Sequence, residues 1–256
     1  MKAILTVLGS GTSMGVPTIG CACAVCHSKD PHDRRTRPSV LIQYGGKSVL
    51  IDTTPDFREQ AIRENISQID AVVYTHSHAD HILGIDDLRP LSYHHKDKIP
   101  LYARAEAADY IRNMFRYIFD ADYKFGGLAR LELKPVDRAF DVFGATFQPV
   151  PVIHGDTEIF GYRFGSAAYL TDFSKIPEAS FALLQGLDVL FLDGLRHQPH
   201  PTHSTVENSI RIASELQAKR VFFTHICHDL PHAATNSALP ENVRLSHDGM
   251  KLEFEI

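Results

Sequence analysis

Thr75-His76-Ser77-His78-Ala79-Asp80-His81 follows directly on Ala71-Val72-Val73-Tyr74, an apolar run that reads as a buried strand. Three imidazoles and a carboxylate within six residues, on a loop leaving a strand end, are what a metal ion requires. His76 and His78 face one way, while Asp80 and His81 enter the following turn. The cluster is dense enough for two metals. The same arrangement recurs along the chain. His154 follows Phe147-Gln148-Pro149-Val150-Pro151-Val152-Ile153, Asp172 follows Ala168-Tyr169-Leu170-Thr171, and His225 follows Val221-Phe222-Phe223-Thr224. A single strand-end His or Asp is usually a cap or turn residue. Four such ends imply convergence at one rim of the fold.

Short β-branched runs bounded by Gly, Pro and Asp predict strands at 2–8, 39–44, 47–51, 70–74, 99–102, 130–134, 145–152, 159–164, 167–171, 187–192, 219–224 and 250–255. Helical patterns lie at about 55–65, 105–118, 176–185 and 204–217, with Ser174-Lys175-Ile176-Pro177 and Thr205-Val206-Glu207-Asn208 as helix starts. Tyr44-Gly45-Gly46-Lys47 and the Gly165-Ser166 junction read as hairpin turns. Hairpins early and late, with single helices between other strands, predict an α/β (α+β) fold. In it two mixed sheets lie face to face with helices outside, rather than forming a doubly wound parallel sheet. With 256 residues and 44% hydrophobic content, one domain over 1–256 is expected. Residues 86–128 read either as an insertion over the site or as a packed surface helix with its loops.

The net charge of −5 and a pI near 6.3 provide no overall basic field for nucleic acid or anionic membrane. The basic cluster Arg34-Arg35-Thr36-Arg37 reads as a solvated loop. The opening Met1-Lys2-Ala3-Ile4-Leu5-Thr6-Val7-Leu8 is too short and strand-like for a signal peptide. No apolar stretch approaches the roughly 18 residues that span a bilayer. A cytoplasmic protein with no membrane partner is expected, and its four cysteines are not expected to pair as disulfides.

Three of those cysteines lie within six residues, Cys21, Cys23 and Cys26, a structural-zinc signal once a fourth ligand is found. His228 in His225-Ile226-Cys227-His228 is the candidate. The glycine-rich run Gly9–Pro17 fits no nucleotide fingerprint and reads as a tight turn near the metals. Asp193 reads as a turn residue or as a group orienting a metal ligand. Arg196, His197 and His200 crowd the following loop as candidate substrate contacts.

His76-x-His78-x-Asp80-His81 followed by His154, Asp172 and His225 resembles the metallo-β-lactamase superfamily pattern, over essentially the whole chain. That resemblance implies a four-layer αββα sandwich with a dinuclear site at the strand-end rim. It places one metal on His76, His78 and His154 and the other on Asp80, His81 and His225, with Asp172 bridging. It makes Asp52 in Ile51-Asp52-Thr53 mainly structural. The Gly-x-Cys-x-Cys-x-x-Cys run with the later His-Ile-Cys-His is similar to the PhnP-type cyclic phosphodiesterases of the carbon–phosphorus lyase pathway. From that family follow a structural Cys₃His zinc, a catalytic role for one more histidine, matched to His203 in Pro201-Thr202-His203-Ser204, and a homodimer.

The implied cofactors are two divalent ions, Zn²⁺ or Mn²⁺, at the active site and one structural Zn²⁺. Histidine and carboxylate donors suit either ion, or Fe²⁺. Two metals sharing a water lower its pKa from about 16 toward 7, and the resulting metal-bridged hydroxide attacks phosphorus. Asp80 and His203 are the candidate catalytic residues. The expected function is hydrolysis of a small, cyclic phosphodiester. The alternatives are a tRNA 3′-end nuclease, a lactonase or thioesterase of the same fold, and a non-catalytic metal-dependent binding module. The nuclease needs a basic docking surface that this composition lacks.

Overall fold

The computed structural model describes residues 1–120, 122–123 and 126–256. Its strands are β1 (Lys2–Gly9), β2 (Ser39–Tyr44), β3 (Lys47–Ile51), β4 (Ala71–Val73), β5 (Ile99–Ala103), β6 (Leu131–Pro135), β7 (Phe140–Val142), β8 (Ala145–His154), β9 (Thr157–Phe164), β10 (Ala167–Leu170), β11 (Val189–Asp193), β12 (Arg220–Thr224), β13 (Val243–Leu245) and β14 (Lys251–Glu255). They form two seven-stranded sheets, ordered β14-β1-β2-β3-β4-β5-β6 and β13-β12-β11-β10-β9-β8-β7. Both are mixed: β3 to β6 run parallel in the first, as do β10 to β13 in the second.

Side-chain alternation explains the layering. Val189 and Phe191 of β11 enter the core between the sheets, while Leu190 and Leu192 face the opposite side. There they meet Val206, Ile212, Ala213 and Leu216 of the helix Val206–Leu216. In the first sheet Val49 and Ile51 enter the shared core, and Leu50 packs outward with Phe57, Ala108 and Ile111 from the helices Phe57–Arg63 and Ala105–Met114. A period of two places successive residues in two different apolar layers, so these strands read as continuous hydrophobic runs. The result is the expected αββα sandwich.

The Gly45-Gly46 turn takes φ of 53° and 74°, the left-handed pair that a two-residue hairpin requires. Thr205 caps its helix by accepting from the Asn208 N–H at 3.2 Å. Ser174 does not start a helix. Its hydroxyl donates to the Ile153 carbonyl at 3.0 Å, and the helix begins at Glu178 behind Pro177. The helical pattern at 105–118 breaks at Phe115 into Ala105–Met114 and Arg116–Phe119. Residues 86–128 supply the five-residue β5, which pairs between β4 and β6, along with the helices Ala105–Met114 and Arg116–Phe119. Residues 121, 124 and 125 of this segment lie outside the described residues. Among the described residues no helix is long and apolar enough to cross a membrane.

Candidate active site

The ligand-type side chains gather where strands end. Thr75 and His76 follow β4, His154 closes β8, Asp172 follows β10, Asp193 closes β11 and His225 follows β12. Carboxyl ends of parallel strands are where such folds place their sites. His76, His78 and His154 bring their donor atoms within 4.8 Å of one another, and Asp80, His81, Asp172 and His225 do the same. These are the two groups expected from the sequence, with His78 the exposed member. Asp172 joins them: its Oδ2 lies 3.9 Å from His76 Nε2 and 3.2 Å from His225 Nε2, and its Oδ1 lies 3.4 Å from His81 Nε2.

The donor set fits metal ions. His76 Nε2, Asp80 Oδ2, His81 Nε2 and His225 Nε2 are buried and have no hydrogen-bond partner. Orphaned buried polar atoms cost about 1–3 kcal/mol each, and a shared cation removes that cost. His81 Nε2 to Asp80 Oδ2 is 3.2 Å and His225 Nε2 to Asp80 Oδ2 is 3.5 Å. Ligands about 2 Å from a tetrahedral metal stand about 3.3 Å apart. Asp80 is held below the usual carboxylate range: burial opposes ionisation, but the adjacent His81 and His225 outweigh it. Burial and the nearby His81 push the His76 imidazole well down, keeping it neutral. Neutral imidazole and ionised carboxylate are the forms a metal binds; burial lowers His81 and His225, but Asp80 and Asp172 outweigh it and raise both, so each would give up a proton to a metal.

The inward nitrogens of His81 and His154 are aimed by what holds the other nitrogen of each ring. His81 Nδ1 lies 2.7 Å from Asp52 Oδ2, and Asp52 also accepts from the Thr75 N–H and hydroxyl, both at 2.8 Å. His154 Nδ1 donates to the Thr202 carbonyl at 2.8 Å. Thr202 carried no signal in the sequence, because it acts through its backbone.

Cys21, Cys23, Cys26 and His228 form the expected second kind of site. His228 Nδ1 lies 3.1, 3.4 and 3.5 Å from the three sulfurs. Zn–S and Zn–N bonds of about 2.3 and 2.0 Å place such atoms about 3.5 Å apart. The Cys26 backbone N–H draws the Cys23 thiol down to about 6, against its burial, so it offers a thiolate near neutrality. Cys227, the fourth cysteine, is buried outside this group. Cys23→Ser should remove one equivalent of zinc and lower the melting temperature by several degrees. Unchanged zinc stoichiometry in that variant would refute the site.

The glycine-rich run pairs beside the site: Gly11 bridges to Ile226, Thr12 N–H donates to the Ile226 carbonyl, and Ile226 N–H donates to the Ser10 carbonyl. A Cβ at Gly11 would stand 2.7 Å from the Arg35 carbonyl, so backbone packs on backbone here. Arg35, expected in a solvated loop, is instead 1% exposed. Its guanidinium donates to the carbonyls of His32, Cys227 and Leu230 and to Asp33. It fastens the segment bearing His225 and His228, and its placement among other basic residues hid it.

Asp193 Oδ2 lies 2.7 Å from His203 Nδ1, and His203 falls in two further groups that could hold a metal, one with His154 and Asp172 and one with Asp193 and His225. The His203 ring stacks on His225 with centroids 4.5 Å apart and meets His154 at 4.9 Å. His203 thus stands against both ligand groups with its Nδ1 held by Asp193.

Residues 47–226 match the beta-lactamase superfamily domain family. The chain is similar to a crystal structure of a diphosphatase from the PhnP family, at 63% identity and a TM-score of 0.94, covering 99% of this chain and 98% of that one. It is 40% identical over 256 residues to an octanoyltransferase of Porphyromonas gingivalis, covering 98% of this chain and 51% of that protein. It is 28% identical over 147 residues to a ribonuclease Z of Bradyrhizobium diazoefficiens, covering 54% of this chain and 47% of that protein. The chain spans about half the length, or less, of the curated relatives it matches.

Proposed function

This chain belongs to the beta-lactamase superfamily, and we propose that it is a metal-dependent hydrolase of the PhnP type that hydrolyses small phosphodiesters. The observation that carries this reading is the Asp193–His203 pair stacked on the ligand cluster. Bound divalent ions would supply an activated water and neutralise charge developing on phosphorus. The ligands would be His76, His78 and His154 on one side and Asp80, His81 and His225 on the other, with Asp172 between.

The chain's own groups do the rest. Asp193 accepts from His203 Nδ1–H and so fixes the tautomer and the direction of Nε2. Burial raises the Asp193 carboxyl, but the His203 hydrogen bond opposes that rise. His203 Nε2 can donate to a phosphoryl oxygen or pass a proton to the departing alkoxide. Cyclic phosphodiesters are the class favoured here, since ring opening leaves one product to release. The diphosphatase neighbour supports a second reading, cleavage of a P–O–P bond by the same groups. The ribonuclease Z relatives support a nuclease less well, because a chain of net charge −5 offers nucleic acid no overall basic field.

The test is hydrolysis of bis(p-nitrophenyl) phosphate and a 2′,3′-cyclic nucleotide by protein of measured metal content, with and without Mn²⁺ or Zn²⁺. Turnover lost on chelation supports the reading. Inert protein with its metal sites filled overturns it and directs attention to lactones and thioesters. His203→Ala should lower turnover by roughly 10²–10⁴-fold with metals retained. Loss of metal in that variant would make His203 a ligand instead.

A further inference from the structure

The loop between β11 and the helix Val206–Leu216 carries four groups able to meet a substrate, and their contacts separate them. Arg196 turns back on its own loop, donating to the carbonyls of Gln198 and Pro199, each at 3.2 Å. His197 pairs with Glu207 at 2.6 Å, with side chains 54% and 62% exposed, on the solvent side of the helix start. His203 belongs to the reaction centre. His200 remains, and it is placed differently.

The His200 ring stands 5.0 Å from that of His203, which stands 4.5 Å from His225. The three imidazoles make a row leading outward from the ligand cluster. His200 Nδ1 faces Thr202, 3.2 Å from its hydroxyl oxygen and 3.4 Å from its backbone nitrogen. Nδ1 therefore accepts, and the ring proton sits on Nε2. Burial, with His203, Arg196 and His225 nearby, keeps the ring below its ordinary pKa and so a neutral N–H donor. The same Thr202 holds His154 through its carbonyl, so His200 is fixed relative to the ligand set. His200 belongs to none of the groups whose donor atoms converge for a metal.

We infer that His200 is a specificity-determining residue whose Nε2–H holds the second phosphoryl group of a substrate with a P–O–P linkage. The inference rests on the phosphohydrolase reading above and selects the diphosphate among its substrates. A simple phosphodiester offers one phosphorus, whose oxygens are met at the cluster and at His203. One ring further out, a charged phosphoryl oxygen is the strongest acceptor this N–H can meet, and a substrate places one there by continuing with a second phosphorus. In the reaction, a water oxygen bonds to the phosphorus at the cluster and the bridging P–O bond breaks. Its electron pair leaves with the phosphoryl group at His200, and the two protons of water are released. Two phosphomonoesters result.

The experiment compares bis(p-nitrophenyl) phosphate with P¹,P²-di(adenosine-5′) diphosphate, using metal-loaded wild type, His200→Ala and His200→Gln. Losing a hydrogen bond to a charged oxygen costs roughly 10- to 100-fold. His200→Ala should therefore lower kcat/KM on the diphosphate by that factor more than on the monophosphate diester, chiefly through KM. His200→Gln, which keeps an N–H donor, should recover part of it, and metal content should not change. Equal losses on both substrates would overturn the inference, as would a wild type that cleaves the diester but not the diphosphate. In that second case the phosphodiesterase reading would stand. If metal-loaded wild type cleaves neither, that reading falls and the inference with it.

Discussion

Asp172→Ala is expected to empty the dinuclear site and lower turnover on an activated phosphodiester by at least about 10³-fold. Asp172 lies within reach of both ligand groups, at 3.2–3.9 Å from His225, His81 and His76. Its carboxyl is held well below the usual range: burial opposes ionisation, but His225, His81 and His76 outweigh it. Removing it leaves three imidazoles facing one another with one fewer negative charge to bind a pair of dications. Mass spectrometry of bound metal alongside the hydrolysis assay checks this. A variant that keeps two active-site metals and near wild-type turnover would end the bridging assignment.

The second large effect is expected far from any substrate. Arg35→Met should destabilise the fold by about 3–5 kcal/mol, the cost of leaving a buried partner charge uncompensated. For a chain of this size that is a fall in melting temperature on the order of 10 °C. Met fills the volume but leaves Asp33 and the carbonyls of Cys227 and Leu230 without their donor. Those carbonyls belong to the segment between His225 and His232, so both kinds of metal site should weaken together. Zinc lost from the Cys₃His group and turnover lowered at least about tenfold are the paired readouts. An unchanged melting temperature with full metal content would show that Arg35 is dispensable.

The parts of the molecule legible in the sequence are those written in periodicity and in side-chain type. Every expected strand forms, because the inner strands are unbroken apolar runs bounded by turn residues, while the edge strands Leu131–Pro135 and Lys251–Glu255 alternate apolar with polar. The missed strands, Phe140–Val142 and Val243–Leu245, have three residues each, too few to show a period. The helix His232–Ala238 was missed because its residues are small and polar, with Pro231 before it and no amphipathic stripe. The histidine and aspartate donors were legible because their chemistry is their identity. The groups that aim them were not, since Thr202 works through a carbonyl and Arg35 through contacts made across nearly 200 residues. Asp193 was visible as a polar strand end, but its partner His203 depends on a loop whose path only the fold reveals.

Asp52, Asp172 and His225 share one further property, left-handed backbone angles with φ of 63°, 56° and 59°. Among residues with a Cβ, Asp, Asn and His enter this region most readily, while β-branched residues are effectively barred. The site therefore constrains its own divergence twice, once through donor chemistry and once through main-chain shape. A descendant released from hydrolysis would be free to discard the charges but not the turns. Its cheapest replacements at these three positions are Gly and Asn, so lost activity would leave a trace in residue choice that differs from ordinary drift.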